Sequence, residues 1–210
     1  MDARAHWRRV YREKAPDEVS WYEEHPSVSL DLIRATGLGH EARVLDVGGG
    51  ASRLVDCLLE GGFVHVGVLD IAGPSLAASR ERLGAVGGPP ADAVEWIEAD
   101  VRTFRPSAPW DSWHDRAVFH FLLDPDDRAA YRATLARTVP EGGHVVVATF
   151  GPGGPQRCSG LEVCRYSPQS LAEELGPALR LVESRIERHR TPSGAEQEFV
   201  YGRFVRTAGP

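Results

Sequence analysis

The sequence is short of lysine, of cysteine and of long apolar runs. Only one of its 24 basic residues is a lysine, Lys14, and acids outnumber bases 30 to 24. The formal net charge of −6 argues against a general nucleic-acid binder, which is usually basic. The arginine groups that do occur, Arg8, Arg9, Arg12 and Arg185, Arg188, Arg190, have acids among them and read as solvated faces. No apolar run approaches the ~20 residues of a bilayer span. Met1 to Trp7 has no signal-peptide core, so the expectation is a cytoplasmic protein with no membrane partner. The three cysteines, Cys57, Cys158 and Cys164, form no Cys-x-x-Cys pair. That fits a reducing compartment, and no metal site is expected. Two phosphate-binding signatures are missing as well. There is no Gly-Lys-Ser/Thr of a P-loop, and Arg53 stands where a dinucleotide fingerprint needs its third glycine.

What is present suffices for one domain with a sizeable core: 210 residues, 42% hydrophobic. The chain is organised around Ala42 to Arg53. Val44, Leu45 and Val47 make a short strand with Asp46 near its end, and Gly48, Gly49 and Gly50 follow at once. A helical pattern opens at about Ser52, with Leu54, Val55, Leu58 and Leu59 on one face. A strand running through glycines into a helix brings bare backbone N–H groups close to a ligand. A carboxylate at Asp46 would repel a pyrophosphate and attract an ammonium group, which suits a ligand with an amino-acid end.

The remaining pattern alternates strands and helices. Strands are expected over 64–71, ending in Asp70; over 94–97, running to Asp100; over 111–116; and over 144–150. Pro74 opens one helix. Asp124 caps another, with Pro125 as its first residue and Asp126 and Asp127 at its positive end, running to Thr138. Residues 84–90 read as a Gly/Pro linker and 151–166 as a loop. Ser167-Pro168 starts a helix ending near Gly176, and two long strands, 179–189 and 198–205, pair across Thr191–Gly194. The expectation is an α/β, doubly wound, mostly parallel sheet closed by an antiparallel hairpin. Ahead of it, Trp7, Val10 and Tyr11, then Leu30, Leu32 and Ile33, lie in helical pieces around a loop that carries Trp21 and Tyr22. Such an aromatic N-terminal segment reads either as plain core or as a lid.

Ligands of open α/β sheets bind beyond the carboxyl ends of the strands, where Asp46, Asp70 and Asp100 fall. Asp70 lies 24 residues after Asp46, near the ~20-residue offset at which an acid grips a ribose diol. His114, Asp115, Arg116 and His120 form a dense titratable group at the end of the fourth strand. Structural histidines and an Asp115–Arg116 pair are the plainer reading of it. Cys158 and Cys164 read as bystanders or as soft ligands for a metalloid.

Asp46-Val47-Gly48-Gly49-Gly50, with Ser52 as a further small residue, resembles the first motif of the class I S-adenosylmethionine-dependent methyltransferases. The resemblance implies the Rossmann-like seven-stranded sheet of order 3-2-1-4-5-7-6, with residues 41–210 as the catalytic domain and 1–40 as a helical lid. It also implies S-adenosylmethionine as cofactor and S-adenosylhomocysteine as product. Asp70 would hold the ribose; Asp100 and the Val101 N–H would take the adenine edge, and Ile71 its face. Trp7, Tyr11, Trp21, Asp46, Gly48, Gly49, Gly50, Ser52 and Asp115 would border the cofactor. The block Asp115 to Leu122, Asp127-Arg128-x-x-Tyr131, Pro140-x-Gly142-Gly143 and the N-terminal Trp7-x-x-x-Tyr11 and Trp21 resemble the thiopurine S-methyltransferase and halide/thiol methyltransferase group. That implies a small soft acceptor, a thiol or sulfide. His120 is then a candidate base, Arg116 a holder of the anion, and Asp115 an orienting group. Some protein-lysine methyltransferases carry Asp-Lys-Gly-Thr at this place, where Asp115-Arg116-Ala117-Val118 stands here, so lysine transfer is the alternative. A monomer or weak dimer with a small-molecule acceptor and no nucleic acid is expected.

Overall fold

In the computed structural model residues 2–85 and 93–208 are described. The expected 84–90 linker therefore lies mostly outside the described residues. Three elements precede the sheet: α1 (Ala3–Glu13), a 3-10 turn (Pro16–Glu18) and α2 (Ser27–Arg34). Then follow β1 (Arg43–Val47), α3 (Leu54–Glu60), β2 (His65–Asp70), α4 (Gly73–Ala85), β3 (Val94–Glu98) and β4 (Ser112–Arg116). A 3-10 turn (Phe119–Phe121) leads to α5 (Pro125–Thr138) and β5 (His144–Phe150). The chain continues with β6 (Arg157–Cys158), β7 (Leu161–Glu162), α6 (Pro168–Leu175), β8 (Leu179–Arg190) and β9 (Glu196–Arg206).

Seven strands form one sheet, in the order β3-β2-β1-β4-β5-β9-β8. The first five run parallel, and β9 is antiparallel to both β5 and β8. With β6 and β7 set apart as a small hairpin, this is the 3-2-1-4-5-7-6 order expected from the sequence. Strand alternation sorts the side chains between two faces. Leu45, Val47, Trp113, Val145 and Val147 pack with Tyr131 and Leu135 of α5 and Leu171 and Leu175 of α6. On the other face Val44, Val66 and Val68 pack with Leu30 and Ile33 of α2 and Leu54, Val55 and Leu58 of α3. Leu32 of α2 joins Val146, Ala148, Phe199 and Tyr201 under β5 and β9. Within residues 1–40, therefore, α2 belongs to the sheet's own packing. Only α1 and the stretch after it lie over the strand ends.

The boundaries differ from the sequence reading where caps decide them. Ser52 does not start α3. Its hydroxyl accepts the Leu54 N–H (3.1 Å), and the helix begins at Leu54. Asp124 caps α5 as expected, accepting from the Asp126 N–H at 2.8 Å. β3 stops at Glu98, which leaves Asp100 in the turn beyond it, its carbonyl accepting from the N–H groups of Thr103 and Phe104. The loop after β5 is not bare: β6 and β7 pair within it.

Candidate active site

The sheet order reverses between β1 and β4, and a crevice opens there at the carboxyl ends of the strands. A cavity of about 900 Å³ occupies it, bordered by Gly48, Asp70, Ile71, Asp100, Val101 and Trp7, among others. That is large for a ligand site (roughly 300–1,000 Å³) and leaves room for two small molecules side by side. A second, smaller space of about 40 Å³ lies between Trp21–Glu23 and the glycine loop; Asp46, Gly49, Ser52 and His114 border it.

The loop needs its glycines. Gly48 has φ +69°, and a Cβ there would collide with the Val118 side chain. Gly50 has φ +36°, and a Cβ would sit 2.6 Å from Asp70 Oδ2. The first turn is thus pressed against the segment after β4 and against Asp70. Of the loop residues expected to border the cofactor, Gly48 touches both spaces, Gly49 and Ser52 only the small one, and Gly50 neither.

Asp46 faces the α2 side of the sheet beside His114, its register partner on β4. Its Oδ1 lies 2.8 Å from His114 Nδ1, and His114 Nε2 lies 2.9 Å from Ser29 Oγ. The ring thus bridges the two: with Nδ1 donating to Asp46, Nε2 accepts from the Ser29 hydroxyl. Asp46 Oδ2 is buried without a hydrogen-bond partner. It is a spare acceptor beside the loop.

Asp70 ends β2 against the large cavity. Its Oδ1 accepts the Ala72 N–H at 2.8 Å. Burial pushes its carboxyl up to about 7, against the bonds from Ala72 and Ser75 that favour the anion. Asp100 differs. Burial would raise it, but Arg102 holds it below the ordinary carboxylate value with fork-like bonds at 2.6–3.1 Å and a backbone N–H at 2.9 Å. Arg102 also reaches Asp127 at 2.7 Å.

Trp7, Tyr11 and Trp21 come together at the cavity as one aromatic cluster. Trp7 stacks edge-on against Trp21 (5.8 Å between centroids) and Phe121 (5.1 Å). Burial, then the nearby Asp70 charge, pushes the Tyr11 phenol up. The other end of α1 is tied down by Arg4 and Arg8, which both reach Glu98 Oε1, at 3.1 and 2.6 Å.

The block after β4 is less of a catalytic group than its composition suggests. Asp115 is fully buried and does not border the cavity. It accepts from the N–H groups of Val118 (2.8 Å) and Phe119 (3.2 Å) and from the Tyr131 hydroxyl (2.7 Å). It therefore shapes the turn that lines the cavity, in which Ala117 holds φ +74°, unusual for a residue other than glycine. No hydrogen bond or ion pair joins Asp115 to Arg116 among the described residues, so the expected pair does not form. Arg116 borders both spaces but is already engaged: Nε donates to the Tyr201 hydroxyl (2.8 Å) and lies 3.2 Å from Glu23 Oε2, and Nη1 donates to the Trp21 carbonyl (2.8 Å). Burial pushes the Glu23 carboxyl up, against the pull of Arg116. His120 is the expectation the geometry serves least. The ring is fully buried, does not border the cavity, and accepts the Phe150 N–H on Nδ1 at 3.2 Å. Burial, then the Arg116 charge, drives it down to about 3. With Nδ1 accepting, the neutral ring carries its proton on Nε2 and has no free basic nitrogen.

Of the two loop cysteines, Cys158 borders the cavity, with its thiol pushed up to about 11 by burial, and Cys164 does not. No cluster of three metal-ligating side chains occurs among the described residues. Glu23, Tyr201 and the β6–β7 residues Leu161 and Glu162 join the site's surroundings unannounced. Glu23 and Tyr201 act through Arg116, distant from them in sequence, and no local spacing points to either.

The fold is that of the class I methyltransferases. No family model matches the sequence, and no curated protein matches it. Solved structures do. One, described under the conversion of a disulfide bond into a thioacetal group during echinomycin biosynthesis, is 18% identical with a TM-score of 0.77, over 96% of this chain and 90% of that one. Another is the Burkholderia thailandensis 1,6-didemethyltoxoflavin-N1-methyltransferase with bound 1,6-didemethyltoxoflavin and S-adenosylhomocysteine, at 20% identity and a TM-score of 0.73, over 97% and 88% of the chains. A third is the N-methyltransferase NodS of Bradyrhizobium japonicum WM9 with S-adenosyl-L-homocysteine, at 16% identity and a TM-score of 0.67, over 97% and 99%. At these identities the likeness is one of fold.

Proposed function

We propose that this protein is an S-adenosylmethionine-dependent methyltransferase whose acceptor is a small soft nucleophile, a thiol or sulfide. The observation that carries the reading is the juxtaposition of Asp70 with the Gly48–Gly50 turn at the mouth of a roofed cavity of about 900 Å³. The fold neighbours include methyltransferases crystallised with S-adenosylhomocysteine, which supports the same cofactor here.

The residues present fit that cofactor. The glycine turn lets Asp70 sit close behind it, since a side chain at Gly50 would collide with the carboxylate, and Asp46 Oδ2 is a buried acceptor without a partner. Asp70 would accept both ribose hydroxyls. Asp46 favours an ammonium at the amino-acid end, with His114 holding its other oxygen and Ser29 holding the His114 ring in turn. Ile71 and Val101 supply the apolar and N–H contacts for a base, and Asp100 accepts beside them while Arg102 keeps it ionised. Trp7, Tyr11 and Trp21 exclude water above. The cofactor supplies an electrophilic methyl group on a positively charged sulfur. Chain residues then have to position an acceptor in line and keep it dry.

The walls support this acceptor class. Phe121, Leu122, Leu161 and Cys158 give the wall around the turn after β4 and the β6–β7 hairpin an apolar part, beside the charged Arg157 and Glu162, and no histidine borders the cavity among the described residues. An acceptor that must be stripped of a proton by a base of pKa near 7 finds none there but Asp70. A thiol, with a free pKa of ~8.5, ionises unaided to a useful extent. Attraction between a thiolate and the sulfonium charge is strengthened by a water-poor site. A protein lysine would have to thread its side chain under α1, so the roofed cavity favours the small acceptor.

The test is an acceptor panel with methyl-labelled cofactor, with volatile, small-molecule and protein-bound product counted separately. Label in small thiols or sulfide is the expected result. Label confined to a protein band would replace the thiol reading with lysine transfer. S-adenosylhomocysteine should bind in calorimetry and NAD should not; the reverse order would remove the cofactor assignment.

A further inference from the structure

The glycine loop is held from behind by a side chain that no motif singles out. Arg82, on α4, uses every edge of its guanidinium. Nη1 donates to the Ala51 carbonyl (3.2 Å) and Nη2 to the Ser52 carbonyl (2.7 Å). Nε and Nη2 together clasp Asp56 of α3, at 3.1 and 2.6 Å. One turn earlier on α4, the Ser79 hydroxyl donates to the Gly50 carbonyl at 2.8 Å. Three consecutive loop carbonyls are therefore taken by one face of α4. Asp56, Ser79 and Arg82 are all largely shielded from water; the Arg82 side chain is 19% exposed and that of Asp56 6%.

A strut between α3 and α4 needs only the Arg82–Asp56 pair. The bonds to residues 50–52 do something else. In a trans peptide the carbonyl of one residue and the N–H of the next point in opposite directions. Fixing the Gly50 carbonyl toward α4 turns the Ala51 N–H away from it, and Ala51 itself borders the small space that Asp46 lines. A glycine-rich turn is intrinsically permissive and loses much freedom when ordered. Holding it before the ligand arrives removes that cost from binding.

We infer that Arg82, with Ser79, is a positioning residue that presets the glycine loop for the amino-acid end of the cofactor. This rests on the cofactor reading above. Asp70 owes its geometry to Ala72 and Ser75, not to Arg82, so contacts to the nucleoside end are independent of the clamp.

The experiment compares S-adenosylhomocysteine with adenosine, which lacks the amino-acid end, by calorimetry on the full chain and on Arg82→Gln, Arg82→Lys and Ser79→Ala. Arg82→Gln should weaken S-adenosylhomocysteine about tenfold or more, with adenosine changed less than about twofold. Arg82→Lys keeps a charge beside Asp56 but loses the fork, and should behave like Arg82→Gln. Ser79→Ala, which releases only the Gly50 carbonyl, should show a smaller loss with the same selectivity. It carries the test if Arg82→Gln does not fold. Equal losses for both ligands would make Arg82 an ordinary strut and overturn the inference, as would no loss for either. A wild-type chain that binds neither ligand would remove the cofactor reading and this assignment with it.

Discussion

Asp70 holds a charge that its surroundings resist. Burial raises its pKa to about 7, whereas an unfolded aspartate titrates near ~3.9. Between those values the folded protein keeps a proton that the unfolded chain has lost. This residue's contribution therefore makes stability fall as pH rises through the window. Ligand binding reverses the preference, because two ribose hydroxyls can donate only to a carboxylate with free acceptor capacity. S-adenosylhomocysteine affinity should then rise with pH by up to about tenfold per unit below pH ~7, and level off above it. Binding below pH 7 should release a proton, measurable by calorimetry in buffers of different ionisation enthalpy. Asp70→Asn should remove both effects. Affinity that stays flat from acid to neutral pH in the wild type would take the ribose contact away from Asp70. The position of this residue was legible in the sequence, because a strand end and a 24-residue offset are local signals. The work of Asp115 was not. Its partners are the Tyr131 hydroxyl and two backbone N–H groups of the turn it shapes. Burial likewise changes what His120 can do, and burial is a property of packing that no spacing records.

At the scale of elements the informative piece is α1. Its helical spacing of Trp7, Val10 and Tyr11 was readable in the sequence, but its seat was not, since Glu98 lies 94 residues from Arg4 and 90 from Arg8. Both ion pairs are well exposed, with side chains 36–42% accessible, and such pairs are worth ~0–1 kcal/mol and weaken in salt. The aromatic contacts of Trp7 with Trp21 and Phe121 bury far more apolar surface, so they should dominate closure. Two expectations separate these contributions. Glu98→Gln should weaken S-adenosylhomocysteine only slightly, and less so at high salt. Deleting residues 1–25 spares α2 and its buried Leu30, Leu32 and Ile33, so the sheet should stay folded and cooperative by thermal melt while cofactor affinity drops sharply. A truncated protein with undiminished affinity and turnover would reduce α1 to packing. The β6–β7 hairpin escaped sequence reading for a simpler reason: two-residue strands are too short to carry an alternation pattern.

The whole molecule is a sheet whose strand ends supply the polar contacts and whose insertions supply the roof. The sheet order was legible because long alternating segments of strand and helix leave few arrangements. What the arrangement implies about the acceptor is a statement about protons. A thiol must be a thiolate to attack, and a group that removes its proton must border the cavity. Among the titratable groups there, Asp70, pushed up to about 7, is committed to the ribose in this reading; Tyr11 and Cys158 are pushed up and so stay protonated, and Asp100 is held as a weakly basic anion by Arg102. His120 lies outside the wall with its Nδ1 occupied and its pKa driven down to about 3. The rate with saturating cofactor and sparse thiol should therefore follow the ionisation of the thiol itself. It should rise about tenfold per pH unit and bend at the acceptor's own pKa. Replacing an alkyl thiol with an aryl thiol of lower pKa should move the bend down by the difference between them, while the plateau falls because the weaker base is the poorer nucleophile. His120→Gln should lower thermal stability, through loss of a well-packed ring and of the acceptor for the Phe150 N–H, without moving the bend for any acceptor. A bend fixed at one pH across all thiols would mean that a group of the protein takes the proton. If His120→Gln then abolished it, the histidine would be restored as the base, and the ring would have to reach the cavity in turnover.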